Sequence, residues 1–172
     1  MNEALATHNF AEYFQHYINL VDDNEDVITA LEHTHKRTNE FLDLITEEQG
    51  NYAYAEEKWT IKELLTHLID TERIFCNRAL RIARNDKTDL PGYDHDEYVK
   101  YSGSNERSLC EICKEYNLVR QGTISLFKSF TDVMLNREGT ANNNKLTVLA
   151  IGFIISGHET HHINVLEEKY LD

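Results

Sequence analysis

Proline is almost absent from this chain, and its scarcity constrains the fold more than any other feature. Pro91 is the single proline among 172 residues, whereas average usage of about 5% would give roughly eight or nine. Proline interrupts helices because it lacks a backbone N–H and its ring collides with the preceding turn. Apolar residues recur at helical spacing from about residue 9 onward, and no strand alternation of useful length is present. The sequence therefore predicts an all-α protein.

The apolar periodicity predicts one short N-terminal helix and four long helices. In chain order, we expect these helices at about residues 10–21, 25–45, 60–84, 104–130 and 146–166. Thr60 and Glu63 form a capping box at the start of the second long helix, and either Ser104 or Ser108 begins the third. Residues 139–144 are expected to form a turn before the fourth. No heptad with flanking charges persists, so a four-helix bundle is favoured over a coiled coil.

The longest connection, residues 85–103, joins the second and third long helices and contains Pro91 and Gly92. A loop of this length can cover another part of the bundle. The chain shows neither an internal repeat nor a change of composition that marks a linker. We therefore expect a single domain over residues 1–172, long enough to bury a substantial core.

The charge balance excludes one large class of partners. Seventeen Lys and Arg stand against 30 Asp and Glu, a net charge of −13, whereas nucleic-acid-binding proteins concentrate Lys and Arg. The longest apolar run, residues 146–156, is too short to span a bilayer, and the N-terminus lacks a signal-peptide pattern. The three cysteines suit a reducing compartment, and Cys110 and Cys113 are expected to be small core residues. We expect a cytoplasmic protein that binds neither nucleic acid nor membrane.

Histidine is unusually frequent, with nine copies, and three of them lie close together in the fourth long helix. At about 100° per residue, His158 and His162 lie only about 40° apart, on the arc of the preceding apolar residues. Two inward imidazoles are costly to bury unless they are hydrogen-bonded or bind one cation, and the i, i+4 spacing suits a metal ion. His161, about 60° from His158 on the other side, is an alternative ligand at i, i+3 spacing.

A third metal ligand is expected upstream of this pair. Residues 158–162 satisfy the H-E-x-x-H letters of zinc peptidases, but those enzymes take their third ligand from further downstream, where only ten residues remain. Among the other histidines, His67 lies beside the apolar arc of a long helix. The remaining five are expected on solvated faces or in loops: His8, His16, His33, His35 and His95. Three histidines leave coordination positions open, as in catalytic metal sites.

Four stretches of the sequence resemble the DinB-like or YfiT-like superfamily. They read KWTIKELLTHLIDTERIF at 58–75, RALRIAR at 78–84, LPGYD at 90–94 and GHETHH at 157–162. The resemblance implies an antiparallel four-helix bundle with a long crossover between the second and third helices, commonly assembled as a homodimer. It also implies that the bound metal is nickel, zinc or another divalent ion, held by His67, His158 and His162.

The resemblance further implies an activity. Family members with known chemistry are similar to thiol-dependent S-transferases or isomerases, in which the metal lowers the pKa of a low-molecular-weight thiol such as bacillithiol or mycothiol. We therefore expect a metal-dependent enzyme that activates a thiol or a water, with a small thiol and an unidentified electrophile as substrates. The alternative is a non-catalytic, stress-associated bundle protein in which the ion is structural.

Two carboxylates are candidates for a supporting role at the metal. Glu159 follows His158 in the fourth long helix, and Asp70 lies one turn after His67. Either can orient a ligand imidazole or transfer a proton. Acidic residues on helices are more often solvated, so this role is a hypothesis for both.

Three other side chains of this region are expected to have structural or pocket-lining roles. Glu72 lies on the apolar arc of its helix, where a carboxylate needs a cationic partner, either Arg78 or a basic residue of another helix. Trp59 and Tyr93 are candidates to line the pocket. Alternatively, Trp59 packs at the start of its helix and Tyr93 anchors the long loop.

Overall fold

Helices dominate the structure, a computed structural model that describes residues 10–171. Its elements are, in chain order, α1 (Gln15–Ile18), α2 (Val27–Leu42), α3 (Ile61–Ala83), α4 (His95–Tyr101), α5 (Leu109–Lys128), α6 (Asp132–Leu135), β1 (Glu138–Ala141), β2 (Asn144–Thr147) and α7 (Val148–Lys169). Short 3₁₀ turns lie at Glu12–Phe14, Gln49–Asn51 and Ser104–Glu106. The predicted helical-bundle fold is confirmed, with one small hairpin added. Within residues 10–171, no helix combines the length and apolar character needed to cross a membrane.

The four long helices, α2, α3, α5 and α7, begin where a side chain accepts hydrogen bonds from the first turn. The capping residues are Asp26, Thr60, Ser108 and Thr147. At Thr60 and Ser108 the capping is reciprocal, because Glu63 and Glu111 accept bonds from the backbone N–H groups of the capping residues. Of the two predicted starts of the third long helix, Ser108 is therefore correct, and Ser104 lies in a 3₁₀ turn.

The helices α2 and α3 occupy opposite corners of the bundle, because each packs against both α5 and α7. The helices α2 and α7 run in the same direction: Val27 lies against Gly152 near their first turns, and Arg37 donates a hydrogen bond to Glu167 near their last. The first two long helices, α2 and α3, are thus diagonal partners rather than neighbours.

The helices α3 and α5 also run in the same direction. Glu72 of α3 pairs with Arg120 of α5, and one turn later Cys76 lies beside Thr123. A chain that leaves α3 must therefore return along the bundle before it enters α5. Residues 84–108 make this return and include α4, so the predicted long crossover between the second and third long helices is confirmed.

A two-stranded hairpin occupies the segment that was predicted to be a turn at residues 139–144. The strands β1 and β2 pair antiparallel, and Asn142 and Asn143 connect them with φ angles of 49° and 61°. Two consecutive positive φ angles are required by the type I′ turn, which suits the twist of paired strands. Strands of four residues are too short for alternation to be recognised in the sequence.

The hairpin and the crossover are joined to each other. The N–H of Leu90 donates to the carbonyl oxygen of Thr140 at 3.0 Å, and the N–H of Asn142 donates to the carbonyl oxygen of Leu90 at 2.9 Å. These two bonds hold the crossover and the hairpin side by side at one end of α3.

The segment α1 packs closely on α7, and Gly157 makes this possible. A Cβ atom at Gly157 would lie 2.0 Å from the carbonyl oxygen of Tyr17, far inside van der Waals contact. Tyr17 and Ile18 are both buried. The predicted N-terminal helix over residues 10–21 is present only in part, as the 3₁₀ turn and the four residues of α1.

The expectation of two core cysteines is wrong for Cys110. On α5, Cys110 is exposed and Cys113 is half-buried. The buried face of α5 passes instead through Leu109, Ile112 and Tyr116, because these side chains face α2, α3 and α7. The spacing of the two cysteines did not indicate which of them lies on that face.

Candidate metal centre

Three histidine side chains from two helices converge between α3 and α7. His67 projects from α3, while His158 and His162 lie one turn apart on α7. The Nε2 atom of His158 lies 3.2 Å from that of His67 and 3.1 Å from that of His162. His67 is buried and the two histidines of α7 are half-buried, so the cluster keeps an accessible side.

These distances suit a single metal ion. One ring nitrogen of each histidine lies within 4.8 Å of the other two. Imidazole nitrogens bind zinc at about 2.0–2.1 Å, so two of them on one ion lie roughly 3 Å apart. The three side chains therefore fit one divalent ion in the arrangement that the helices already provide.

Burial keeps the three imidazoles neutral. It lowers the pKa of His67 to about 4 and the pKa of His162 to about 3, and repulsion between protonated rings is a smaller cause in both cases. Burial also lowers the pKa of His158 well below its usual value. A neutral imidazole offers a lone pair to a metal, whereas a protonated one does not, so the cluster can accept a cation at neutral pH.

Neighbouring side chains hold the ring of His67. The hydroxyl of Thr71 lies 3.5 Å from its Nδ1 atom, and the ring of Trp59 packs against it with the centroids 4.8 Å apart. The hydroxyls of Thr71 and Tyr93 are hydrogen-bonded at 2.8 Å. Trp59 and Tyr93 therefore line the site and also fasten the start of α3 and the crossover, so both predicted placements hold.

His95 is exposed on the crossover, as expected, and it is not part of the converging group. It nevertheless lies beside the site. Its ring centroid is 5.6 Å from that of His67 and 6.1 Å from that of Trp59. The side chain of Asp94 caps α4, and the helix begins with His95. The course of a long crossover depends on what it packs against, and the sequence pattern of the loop alone does not give it.

The other histidines lie outside the cluster. The ring of His161, the alternative ligand, packs edge-on against Tyr17 with the centroids 5.5 Å apart, and it is not part of the converging group. Three of the predicted bystanders also lie outside this group: His16, His33 and His35. His8 falls outside the described residues.

A buried ion-pair network adjoins the histidines. Arg120 of α5, which is completely buried, donates to both carboxylate oxygens of Glu72 at 2.9 and 2.8 Å and also to Glu159. The predicted buried pairing of Glu72 is confirmed, and the basic residue comes from another helix rather than being Arg78. A void of about 10 Å³ is lined jointly by Glu72, Glu159 and His158.

The carboxylate of Glu159 is directed into this network. Besides Arg120, its partners are Thr38 of α2 and Tyr116 of α5, both of which donate to Oε1. Both carboxylate oxygens of Glu159, the glutamate of the H-E-x-x-H letters, thus accept hydrogen bonds from side chains of other helices. A peptidase needs this glutamate as a general base at the metal, so the contacts argue further against the peptidase interpretation. Its role in orienting His158 or in transferring a proton stays a prediction.

Asp70 is half-buried on α3, with its carboxylate 3.8 Å from Arg73. Burial raises the pKa of Asp70, and the nearby guanidinium of Arg73 opposes this shift. Within residues 10–171 we find no hydrogen bond between Asp70 and the three histidines. Its predicted role in proton transfer also stays a prediction.

A cavity of about 310 Å³ opens onto the histidines. Its wall is built by α3 and α7, by the α1 region, and by the crossover and hairpin. Along α3, the lining side chains are His67, Thr71, Phe75 and Arg78. The volume is that of a site for a small molecule, so the cluster faces a space in which a substrate fits.

The fold and the site together define a metal-binding protein of the helical-bundle class. The model of the DinB superfamily matches residues 30–166, and the chain belongs to this superfamily. The resemblance observed in the sequence is therefore confirmed. One curated relative, from Oceanobacillus iheyensis, is provisionally named a metal-dependent hydrolase. It is 21% identical over 144 residues, which cover 83% of each chain.

Three solved structures share the fold. YfiT from Bacillus subtilis, described as a probable metal-dependent hydrolase with an unusual four-helix bundle topology, has a TM-score of 0.71 and 18% identity, covering 83% of this chain and 82% of its own. A mycothiol-dependent maleylpyruvate isomerase has a TM-score of 0.66 and 12% identity, covering 80% of this chain and 58% of its own. The DinB-like protein YjoA from Bacillus subtilis has a TM-score of 0.60 and 19% identity, covering 83% of this chain and 87% of its own.

Proposed function

We propose that the chain is a metal-dependent enzyme in which His67, His158 and His162 bind one divalent ion. A small nucleophile would attack a substrate held in the adjoining cavity. The observation that carries the proposal is the position of three neutral imidazoles in the wall of a cavity of about 310 Å³. A divalent ion supplies one thing there: it lowers the pKa of a water or a thiol, which then acts as a nucleophile near neutral pH.

The chain's own side chains have distinct tasks in this proposal. Thr71 and Trp59 hold the His67 ring in place, and burial keeps all three imidazoles unprotonated. Tyr93, on the crossover, lines the cavity beside them. Glu159 and Asp70 are proposed to orient an imidazole or to carry a proton.

The names of the relatives support two nucleophiles. The Oceanobacillus relative and YfiT are named for metal-dependent hydrolysis, which uses water. The isomerase is named for its dependence on mycothiol, a thiol. For this chain we propose a low-molecular-weight thiol or water as nucleophile, with S-transfer to an electrophile or hydrolysis as the reaction. Nickel and zinc are the proposed metals, since both bind well to imidazole.

A non-catalytic bundle with a structural ion is the alternative function. Structural zinc sites are usually closed by four protein ligands, whereas catalytic sites keep a position open. Three histidines beside a cavity resemble the second arrangement, and this favours the enzyme.

The test uses the cobalt-loaded or nickel-loaded protein, whose d–d absorption reports changes at the metal. Bacillithiol, mycothiol and glutathione are added in turn, followed by a panel of electrophiles, and esters and amides are tested for hydrolysis. We expect either that one thiol shifts the spectrum or that one ester or amide is hydrolysed. His158→Ala should abolish whichever response the wild-type protein shows. His161→Ala is the matched control and should retain it. A fully loaded protein that responds to no thiol and hydrolyses no substrate would favour the structural ion.

We also propose a homodimeric state and a cytoplasmic location. The first rests on the family resemblance, and the second on the odd number of cysteines together with the family's thiol chemistry. Sedimentation velocity of the purified chain tests the dimer, for which a single species at the monomer mass would be the contrary result.

A further inference from the structure

Among the described residues, one charged side chain in the cavity wall has no carboxylate partner. Arg78 of α3 is only 6% exposed and lines the cavity. Its Nη2 atom donates one hydrogen bond, of 2.9 Å, to the carbonyl oxygen of Pro91. Among residues 10–171, no carboxylate forms an ion pair with it. Burial lowers the pKa of Arg78, and the nearby phenol of Tyr93 opposes this shift.

An anion bound in the cavity would complete this arrangement. A buried cation loses its hydration and needs a partner in exchange, as Arg120 has in Glu72. The rings of Phe75 and Tyr93, 5.1 and 5.9 Å from Cζ of Arg78, stabilise the cation through their faces but leave its donors free. A guanidinium carries five N–H donors, so Arg78 retains most of them for a ligand.

Arg78 and His67 lie on the same face of α3. Successive lining residues are four, four and three positions apart, at His67, Thr71, Phe75 and Arg78, which is the spacing of one helical stripe. Eleven residues correspond to about 16 Å along the helix axis. The cavity wall therefore contains both the histidine cluster and, further along α3, a guanidinium that has no ion-pair partner within residues 10–171.

We propose that Arg78 is the anion-binding residue of this cavity and that its ligand is a small organic acid. The carboxylate binds at Arg78, because the planar guanidinium fork matches two carboxylate oxygens, and the rest of the molecule extends along α3 toward the histidines. The assignment of the ligand as substrate rests on the proposed function, whereas the binding itself does not.

A purely structural role for Arg78 makes a different prediction. If the side chain only fastens the crossover through Pro91, its replacement weakens folding without changing which ligands bind. If it binds an anion, its replacement changes the preference between a charged ligand and a neutral ligand of the same shape. Ligand selectivity therefore separates the two roles, and stability does not.

The experiment compares octanoate with octanamide, which differ in charge but hardly in size. Binding is followed by the fluorescence of Trp59, the single tryptophan of the chain, which lines the cavity. We expect the wild-type protein to bind octanoate about tenfold to hundredfold more tightly than octanamide, as for a charge-assisted hydrogen-bonded pair. Arg78→Gln should reduce this preference to about twofold or less. Arg81→Gln, whose guanidinium pairs instead with Asp86, should leave it unchanged.

Both metal-free and metal-loaded proteins are measured, because a carboxylate can also bind a metal. A preference that requires metal and survives in Arg78→Gln would overturn the proposal, as would equal binding of the two ligands by the wild type. Should Arg78→Gln not fold, the wild type alone gives the answer, since octanoate must raise its Tm more than octanamide does. A protein with this preference but without catalytic turnover would refute the proposed function and leave the anion site standing.

Discussion

Arg120 and Glu72 form a bidentate ion pair in the centre of the bundle. Both side chains are buried, with exposed fractions of 0% and 5%. Arg120 also donates to Glu159 on α7 and, at 3.1 Å, to the carbonyl oxygen of Leu31 on α2. One guanidinium on α5 therefore connects all four long helices.

Replacing Arg120 with Met is expected to lower the free energy of unfolding by about 3–5 kcal/mol, because two buried carboxylates lose their cation. Urea denaturation followed by circular dichroism measures the change. Lys128→Met, which removes a half-exposed pair with Glu32, is the control and should cost less than about 1 kcal/mol. Similar losses in the two variants would mean that the buried network contributes no special stability.

Single replacement of His67, His158 or His162 with Ala should bring bound metal close to zero, because two imidazoles hold a divalent ion far more weakly than three. His161→Ala should bind as much metal as the wild type. Elemental analysis of purified protein gives the stoichiometry. The ligand assignment is wrong if His161→Ala loses the metal and His162→Ala retains it.

Alkylation should distinguish the three cysteines. Burial raises the pKa of the Cys76 and Cys113 thiols to about 11, whereas Cys110 is exposed. At pH 8 the reactive thiolate is only about one thousandth of each of these two thiols. Iodoacetamide should therefore modify Cys110 first, and the rates at the other two should rise about tenfold per pH unit between pH 8 and 10.

Peptide mass spectrometry at successive times measures these alkylation rates. Unfolding in urea supplies the control, because all three cysteines should then react at similar rates. A fast reaction of Cys76 in the folded protein at pH 8 would contradict the prediction.

Replacing two glycines with alanine should change the free energy of unfolding in opposite directions, because only one of them lies at the contact between α1 and α7. Gly157→Ala should lower the free energy of unfolding by about 1–3 kcal/mol, because its Cβ atom would collide with the carbonyl oxygen of Tyr17 and displace α1. Gly122→Ala on α5, where a Cβ atom would meet nothing within 4 Å, should raise it by about 0.5–1 kcal/mol through helix propensity. Urea denaturation measures both, and destabilisation by both would show that the contact is not the cause.

Features that depend on one helix could be predicted from the sequence. The inward pair His158 and His162 follows from their spacing on a single apolar helix, and the capping box at Thr60 and Glu63 involves one turn. The burial of Glu72 was predicted for the same reason, since it lies on the apolar arc of α3.

Features that depend on contacts between helices could not be predicted. The partner of Glu72 is Arg120, and this pairing is set by the relative shift of α3 and α5, which neither helix encodes alone. The position of His95 depends on how the crossover packs over α3. The hairpin at Asn142 and Asn143 is too short to produce an alternating pattern, so it was expected to be a plain turn.

The alignment of His67 and Arg78 on one helix has a consequence for the length of a ligand. A helix resists stretching, so the distance between these two residues stays fixed while the crossover and the hairpin vary around them. The cavity would then favour ligands whose length matches the distance between these two residues. Moving the arginine back by one turn, to position 74 or 75, would shorten the accepted span by about 5.4 Å.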